Sequence, residues 1–271
     1  MDERLQRRVQ RYGWDKATAF YERSWQAQLE PAQSHLLDLA QIGSGSKVLD
    51  AACGTGLVTF RAAELTGSEG SVTGTDISEQ MVMAAREHAI ARGVRNVDFE
   101  RMDAEELEFA AGSFDCVVCA LGLMYMPDPQ KAIREFYRVL RPGGLAVAAV
   151  WGERRKCGWA EIFPIVDSRV QSEVCPMFFN LGTGCVLSQL FAAAGFREID
   201  TRRLESRLRY QTAEQACEAA FAGGPVALAY SRFSQDTKDK AHKEYLASLE
   251  PYRADEGYSV PGEFVVVIGM K

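Results

Sequence analysis

Apolar residues beyond position 46 alternate between two kinds of spacing. Short apolar runs typical of strands are separated by stretches with the 3.6-residue spacing of helices. The strand-like runs are 47–51, 71–76, 97–101, 114–120, 144–151, 196–204 and 262–270. Helical spacing covers 57–66, 78–92 and 128–140. Strands that alternate with helices of this length predict βαβ units, and therefore an α/β fold built on a parallel sheet.

The flanking regions predict additions to this sheet. Residues 1–42 have helical spacing and end before Gly43-Ser44-Gly45-Ser46, which predicts an N-terminal helical cap segment ahead of a domain that covers 43–271. Beyond residue 151, stretches at about 157–194 and 212–250 look helical and predict two insertions. The runs 114–120 and 144–151 are almost continuously apolar, as expected of central strands with helices on both faces.

Composition narrows the class of protein. The chain has 271 residues, of which 47% are hydrophobic, so an ordinary core can form and disorder is excluded for most of its length. The formal net charge of −6 gives no overall attraction to a polyanion, and no nucleic-acid partner is expected. No apolar run reaches the roughly 20 residues of a membrane span, and the charged start does not resemble a secretory signal. We therefore expect a cytoplasmic protein; its oligomeric state stays open.

The seven cysteines are odd in number and scattered, which indicates reduced thiols. Cys116 and Cys119 form a C-x-x-C pair inside the apolar run 114–120. On a strand, residues three apart point to opposite faces, so the pair is a poor metal clip. The sequence therefore predicts no metal site.

A glycine-rich turn follows the first predicted strand. Gly54 and Gly56 lie between this strand and the next helix. Glycines let a backbone approach a ligand closely, and the helix N-terminus offers N–H donors. A dinucleotide enzyme would have a third glycine where Thr59 stands, which weakens an NAD-binding interpretation.

Polar residues follow the next strands as well. Asp76 ends the second strand, 22 residues after Gly54, where a carboxylate can accept hydrogen bonds from the ribose hydroxyls of a nucleoside. The alternative is an ordinary Asp at a helix entry, before Ser78. The loops 102–105 and 120–128 follow the third and fourth strands. All these loops lie at carboxyl ends of strands, where open α/β sheets bind ligands.

Five motifs occur in a fixed order: VLDAACGTG, VTGTD, MDAEEL, FDCVVCALGLMYMPD and VLRPGG. With them the chain resembles class I S-adenosylmethionine-dependent methyltransferases, in the small-molecule branch similar to the ubiquinone/menaquinone-biosynthesis enzymes. The resemblance covers roughly residues 45–151. It implies a Rossmann-like seven-stranded sheet with the last strand antiparallel, helices on both faces and helical cap insertions. It also implies S-adenosyl-L-methionine as cofactor and in-line methyl transfer to an O, N, S or C atom of a small-molecule acceptor.

From their positions in these motifs, the resemblance implies which residues contact the cofactor. The implied cofactor-binding residues are Asp50, Ala52, Gly54, Thr55, Gly56, Asp76, Ile77, Asp103, Ala104, Ala120 and Leu121. Asp50 would orient the methionine ammonium, Asp76 would hold the ribose hydroxyls, and Asp103 would accept from the adenine amino group. Ala52 departs from the pattern, because many family members have glycine there. An Asn-Pro-Pro-Tyr motif is absent after the fourth strand, which disfavours nucleobase and glutamine targets.

Aromatic residues predict the substrate side. The expected substrate-lining residues are Tyr21, Tyr125, Trp151, Trp159, Phe178 and Phe179. We predict that the segment 157–185 moves or orders on binding and selects the substrate. The alternative for most of these rings is packing between cap and sheet. The sequence identifies no catalytic residue.

Two other functions stay open at this point. One is a non-catalytic cofactor-binding protein of the same fold. The other is a methyltransferase for a thiophilic metalloid that would use Cys157, Cys175, Cys185 and Cys217.

Overall fold

The computed structural model describes residues 3–171, 175, 177–254 and 257–271. The helices are α1 (Glu3–Ala40), α2 (Leu57–Thr66), α3 (Glu79–Arg92), α4 (Pro129–Val139), α5 (Ile162–Asp167), α6 (Val186–Ala194), α7 (Ala213–Cys217), α8 (Ala227–Tyr230) and α9 (Gln235–Leu249). The strands are β1 (Lys47–Ala51), β2 (Ser71–Asp76), β3 (Val97–Arg101), β4 (Phe114–Ala120), β5 (Leu140–Trp151), β6 (Arg197–Tyr210), β7 (Arg253–Ala254) and β8 (Gly257–Met270). A 3₁₀ turn covers Leu123–Tyr125, and a π-helical turn covers Glu218–Ala222.

The strands form one mixed sheet in the order β3-β2-β1-β4-β5-β8-β6, with β7 paired to β8. Strands β1 to β5 are parallel neighbours, whereas β8 is antiparallel to both β5 and β6. The predicted Rossmann-like α/β fold with an antiparallel last strand is confirmed. The predicted seven strands are all present. The eighth, β7, has two residues, which is too short to show an alternating pattern in the sequence.

The predicted helical insertion at 157–194 differs from the structure. The stretch 157–194 is less helical than predicted, because α5 and α6 are the only α-helices among its described residues and turns cover most of the described residues between them. Among the described residues between α5 and α6, the buried apolar side chains are Phe178 and Leu181, which are too few to form a helical stripe. Residues 172–174 and 176 of the predicted moving segment lie outside the described residues. Within the described residues, no helix is long and apolar enough to cross a membrane.

The central strands position the site. Val117, Val118 and Ala148 are fully buried, because helices cover both faces of β4 and β5. The parallel strands β1 to β4 end at one edge of the sheet, and the loops that follow them therefore lie together. Helix α1 runs across this edge and packs against α3 and α8.

Candidate active site

A cleft opens where β1, β2, β3 and β4 end, with about 720 Å³ of empty space. Eight of the residues predicted to bind a cofactor line it: Ala52, Gly54, Asp76, Ile77, Asp103, Ala104, Ala120 and Leu121. Asp50 and Thr55 are buried beneath the glycine turn and Gly56 caps α2, so these three do not line the cleft. The structure therefore brings the predicted loops together at one cleft and separates the residues that face it from those that support it; that they bind a cofactor stays a prediction.

Asp76 connects two of these loops. Its Oδ2 accepts from the backbone N–H of Gly54 at 2.9 Å, and its Oδ1 accepts from the N–H of Ser78 at 2.9 Å. Burial raises the pKa of this carboxyl group to about 6, although both backbone hydrogen bonds act in the opposite direction. The side chain thus makes a helix-entry contact and lines the cleft at the same time.

Asp50 lies fully buried below the glycine turn. Its Oδ2 accepts from the Thr59 hydroxyl at 2.6 Å, while its Oδ1 is buried without a partner among the described residues. The hydroxyl of Thr75 on β2 is likewise buried without a hydrogen-bond partner among the described residues. Burial raises the pKa of Asp50 to about 7, and the nearby Asp76 adds to the shift. Unpaired buried polar groups are rare, so Oδ1 of Asp50 marks a place suited to a cationic, hydrogen-bonding ligand group.

Two residues other than glycine adopt left-handed backbone at the cleft. Ala52 has a φ of 59° and Leu121 a φ of 64°. A left-handed conformation costs an L-residue roughly 1–2 kcal/mol, and such strain concentrates at functional sites. The alanine that replaces the usual glycine at position 52 is therefore accommodated in the left-handed backbone that glycine prefers.

Gly122 provides the space for the Ala52 methyl group. A Cβ atom on Gly122 would lie 2.4 Å from Cβ of Ala52 and 3.1 Å from Sγ of Cys119. We expect Gly122→Ala to lower the free energy of unfolding by about 1–3 kcal/mol, the usual cost of overpacking. Adding Ala52→Gly should restore most of the loss, because it removes the clashing methyl group. Urea denaturation of the two single variants and the double variant measures this coupling.

Gly43→Ala is the control for this experiment, since nothing lies within 4 Å of a Cβ there and its φ is not positive. A double variant as unstable as Gly122→Ala alone would contradict the steric explanation.

Arg7 of α1 closes one end of the cleft. Its Nε lies 3.1 Å from Oδ2 of Asp103, and its guanidinium also donates to the Glu105 carboxylate. Glu105 is fully buried, and its other oxygen accepts from the N–H of Asp128 at 3.0 Å. Burial raises the pKa of Glu105, and the guanidinium opposes that shift. The first turns of α1 are thus bound to the loop after β3.

Two further residues of α1 contact the other loops. Asp15 accepts from the hydroxyl of Ser78 at 2.6 Å, after β2. Glu22 accepts from the hydroxyl of Thr55 at 2.7 Å, after β1. Together with Arg7, these side chains give α1 polar contacts to three loops. These three residues were not predicted from the sequence; their spacing of seven to eight residues on one face of the helix was the available signal.

Removing the guanidinium should loosen this end of α1. We expect Arg7→Ala to leave the buried Glu105 carboxylate without its cation and to cost about 1–3 kcal/mol. Hydrogen exchange across residues 3–15 should accelerate, and the urea midpoint should fall. Arg8→Ala is the matched control, since Arg8 is exposed on the next position of the same helix. Equal exchange rates in the two variants would refute the role of Arg7.

A second space, here called the aromatic cavity, adjoins the cleft, and its empty volume of about 340 Å³ includes space that is open to solvent. Its lining residues are Trp14, Tyr21, Trp25, Leu29, Leu121, Tyr125, Trp151, Trp159, Gly224 and Pro225. Four of them, Trp14, Tyr21, Leu121 and Tyr125, line the cleft as well. The two spaces therefore meet at these four side chains.

The predicted substrate-lining residues divide into two groups. Tyr21, Tyr125, Trp151 and Trp159 line the aromatic cavity. Phe178 and Phe179 do not; their rings pack behind Trp159 at centroid distances of 5.6 and 5.7 Å and border a separate surface pocket. Aromatic density in the sequence cannot separate a cavity wall from the layer that supports it.

The cysteines of the insertions do not form a thiolate site. Cys157 and Cys217 are buried, Cys175 is partly exposed and Cys185 is exposed. Burial raises the pKa of the first three to about 12, which keeps their thiols protonated. Within the described ranges, no three His, Cys, Asp or Glu side chains are grouped as metal ligands would be.

Comparisons with known proteins agree with this geometry. A sequence profile described as a methyltransferase domain matches residues 48–144. A demethylmenaquinone methyltransferase of Listeria monocytogenes is 38% identical over 127 residues, which are 47% of this chain and 54% of that protein. Another, of Staphylococcus epidermidis, is 31% identical over 184 residues, covering 63% of this chain and 76% of that protein. The chain belongs to the class I S-adenosylmethionine-dependent methyltransferases.

This membership confirms the family recognised from the motifs, including its ubiquinone/menaquinone-type branch and its cofactor, S-adenosylmethionine. The chain spans about half the length of the Listeria relative. The solved structure of phosphoethanolamine N-methyltransferase 2 of Haemonchus contortus, in complex with S-adenosylmethionine, has the same fold as this chain. The TM-score is 0.62 at 20% identity, over 95% of this chain and 57% of that one. The comparisons favour neither the binding-protein nor the metalloid alternative.

Proposed function

We propose that this chain transfers the methyl group of S-adenosylmethionine to a small-molecule acceptor. The observation that carries the proposal is the junction of two spaces: a polar cleft at the ends of β1 to β4 and an aromatic cavity, which share Tyr21 and Tyr125 in their walls. A transferase needs two adjoining sites of this kind, because the reacting atoms of both ligands must come together.

The cofactor would lie in the cleft. Asp76 would accept from the ribose hydroxyls, and Asp103 from the adenine amino group, with the Ala104 backbone against the ring. Asp50 would attract the methionine ammonium from beneath the glycine turn, where its unpartnered oxygen lies. The residues present fit the cofactor, since the ribose hydroxyls, the adenine amino group and the methionine ammonium each have a candidate partner.

S-adenosylmethionine supplies an electrophilic methyl group on a cationic sulfur; transfer breaks the methyl–sulfur bond, forms a bond to a nucleophilic O, N, S or C atom, and leaves S-adenosylhomocysteine. The chain contributes orientation and exclusion of water. Helix α1 covers the cleft, and the rings of Tyr21 and Tyr125 stand at the junction. Aromatic faces attract cations, so these rings suit the approach of a sulfonium.

Two measurements on the purified chain test the proposal. In calorimetry, S-adenosylhomocysteine should bind and NAD should not, because the third dinucleotide glycine is missing. With methyl-labelled cofactor and a panel of acceptors, label should appear in an organic product. NAD binding as tight as that of S-adenosylhomocysteine would contradict the cofactor site. Binding without any transfer across the panel would favour a non-catalytic binding protein.

A further inference from the structure

Two apolar side chains are exposed near the start of α1. Leu5 is 47% exposed and Tyr12 is 45% exposed. Residues seven positions apart lie on one face of a helix, roughly 10 Å apart along its axis. None of the described residues 3–9 is buried, so this end of α1 extends beyond the protein core. The two side chains are therefore available to a surface outside the chain.

Basic residues surround this pair. The segment 3–16 has a net charge of +3, whereas the whole chain has −6. Its two acidic residues are Glu3 and Asp15, and its five basic residues are Arg4, Arg7, Arg8, Arg11 and Lys16. Arg8 lies three positions after Leu5 and four before Tyr12, so it neighbours both on the helix surface. The start of α1 is thus basic and amphipathic in a chain that is acidic overall.

A surface pocket adjoins these arginines and is here called the basic pocket. Its empty volume of about 1170 Å³ includes space that is open to solvent. Four of its lining residues are arginines, namely Arg7, Arg8, Arg11 and Arg101. Of its three carboxylates, Asp103 pairs with Arg7, and Glu106 pairs with Lys131 at 2.6 Å. Glu108 has no cationic partner among the described residues, so the pocket keeps an excess of positive charge.

Two guanidinium groups of the basic pocket have no carboxylate partner in the part of the chain that the structure describes. They belong to Arg8 and Arg11, and Nε of Arg11 is buried without a hydrogen-bond partner there. The Arg11 guanidinium lies 5.5 Å from the ring centroid of Tyr12. Arg101 is only loosely paired, since its Nε lies 3.9 Å from the Glu79 carboxylate. Guanidinium groups bind phosphate oxygens in a bidentate manner, so three of them around one pocket suit a phosphate group.

A second exposed apolar pair lies among charges that balance. Met83 and Ile90 on α3 are also seven positions apart and are 44% and 82% exposed. Arg86 and Glu87 lie between them, and the Arg86 guanidinium already donates to the carbonyl oxygen of Phe99. Exposed apolar area is thus present on both helices. The excess of positive charge distinguishes the pair on α1 and makes it complementary to an anionic surface.

We propose that the start of α1 docks on an anionic lipid bilayer. Leu5 and Tyr12 enter the headgroup region, and a headgroup phosphate occupies the basic pocket beside Arg8 and Arg11. Helices with arginine on the polar side and leucine or aromatic side chains on the other bind bilayer surfaces in this way. Two isolated apolar side chains offer far less area than the roughly 1,200–2,000 Å² of a stable protein interface, which favours a bilayer over an acidic protein.

Docking places one end of the cofactor cleft at the bilayer surface. Arg7, Ile77, Met102 and Asp103 line both the cleft and the basic pocket. The inference is independent of the proposed function, because docking requires neither the cofactor nor methyl transfer.

Co-sedimentation of the full chain with lipid vesicles, in the absence of cofactor, tests the inference. Vesicles of phosphatidylcholine should leave the protein in solution. Vesicles with equal parts of phosphatidylcholine and phosphatidylglycerol should bind it, and added salt should release it. Arg8→Glu/Arg11→Glu should lower the partition coefficient more than about twentyfold, because each arginine near an anionic surface contributes about fivefold. Leu5→Ser/Tyr12→Ser should lower it about tenfold, since both side chains lose apolar contact.

Two matched variants serve as controls. Arg202→Glu/Arg207→Glu on β6 makes the same change in net charge at exposed positions, and Met83→Ser/Ile90→Ser removes the other apolar pair. Both should bind the anionic vesicles as the parent does. Equal loss of binding in either control and its α1 counterpart would overturn the assignment to α1.

The parent protein tests the inference even if a variant does not fold. Equal sedimentation with neutral and anionic vesicles, or none with either, overturns it. Binding of inorganic phosphate in calorimetry without vesicle binding would assign the basic pocket to a free anion. Retention on polyglutamate without vesicle binding would assign the surface to an acidic protein, and each of these two results also overturns the inference.

Discussion

Asp76→Ala is expected to weaken the binding of S-adenosylhomocysteine by about ten- to a hundredfold. The substitution removes a charge-assisted contact to the ribose, worth about 1.5–3 kcal/mol. It also leaves the N–H groups of Gly54 and Ser78 without their acceptor, so the two loops it connects lose their alignment. The loss should therefore lie at the upper end of the range. Isothermal titration calorimetry measures it directly.

Asp15→Ala provides the control for Asp76. Asp15 accepts from the Ser78 hydroxyl of the same loop but does not line the cleft, so its loss should change affinity by a few-fold at most. Circular dichroism of both variants shows that the sheet is intact. If Asp76→Ala binds the ligand as the parent does, Asp76 is only a helix-entry residue.

Binding of S-adenosylmethionine should weaken as the pH falls below about 7. Burial raises the pKa of Asp50 to about 7 in the free protein, so its carboxyl group is charged above that pH and neutral below it. A cationic ligand group favours the charged form. Affinity should therefore fall by up to tenfold for each pH unit below 7, and more steeply below about 6, where Asp76 also takes up a proton.

The free energy of unfolding of the free protein should rise as the pH falls below 7, whereas the affinity for the ligand should fall. The folded pKa of Asp50 lies above its ordinary value of 3.8, so the folded state binds the proton more tightly than the unfolded state between about pH 4 and 7. Stability from this group is present at low pH and is lost as the pH rises through 7. The increase in melting temperature caused by the ligand should accordingly be larger at pH 8 than at pH 6.

The Asp50→Asn variant should bind S-adenosylmethionine more weakly than the parent does, and its affinity should depend little on pH down to about 6. Equal affinity of the parent at pH 6 and pH 8 would contradict the assignment.

The sequence predicts the sheet well because the information is local. Runs such as 114–120 are apolar throughout, and the glycine turn at 52–56 marks the end of β1 without reference to the rest of the chain. Once the strands are parallel, their carboxyl ends must share one edge, and the loops with Asp76 and Asp103 come together. The cleft therefore follows from strand order and the family motifs.

The contacts of α1 could not be predicted in this way. Arg7 contacts Glu105, and Glu22 contacts Thr55, across long separations in the chain, and both Arg7 and Glu22 are of a type common on a solvated helix face.

Aromatic residues in the sequence also do not reveal whether a buried ring lines a cavity or packs behind its wall. Trp159 lines the aromatic cavity, whereas Phe178 supports it from behind, and both are buried to a similar degree. Only the three-dimensional arrangement separates the two roles.

The close approach of positions 52 and 122 has a consequence for how these sequences can diverge. The two backbones leave room for one methyl group between them, and Ala52 occupies it. A chain with glycine at both positions would accept a methyl group at either of them. We therefore expect alanine at 122 mainly in chains with glycine at 52, so that the two positions are coupled by sterics although they are 70 residues apart.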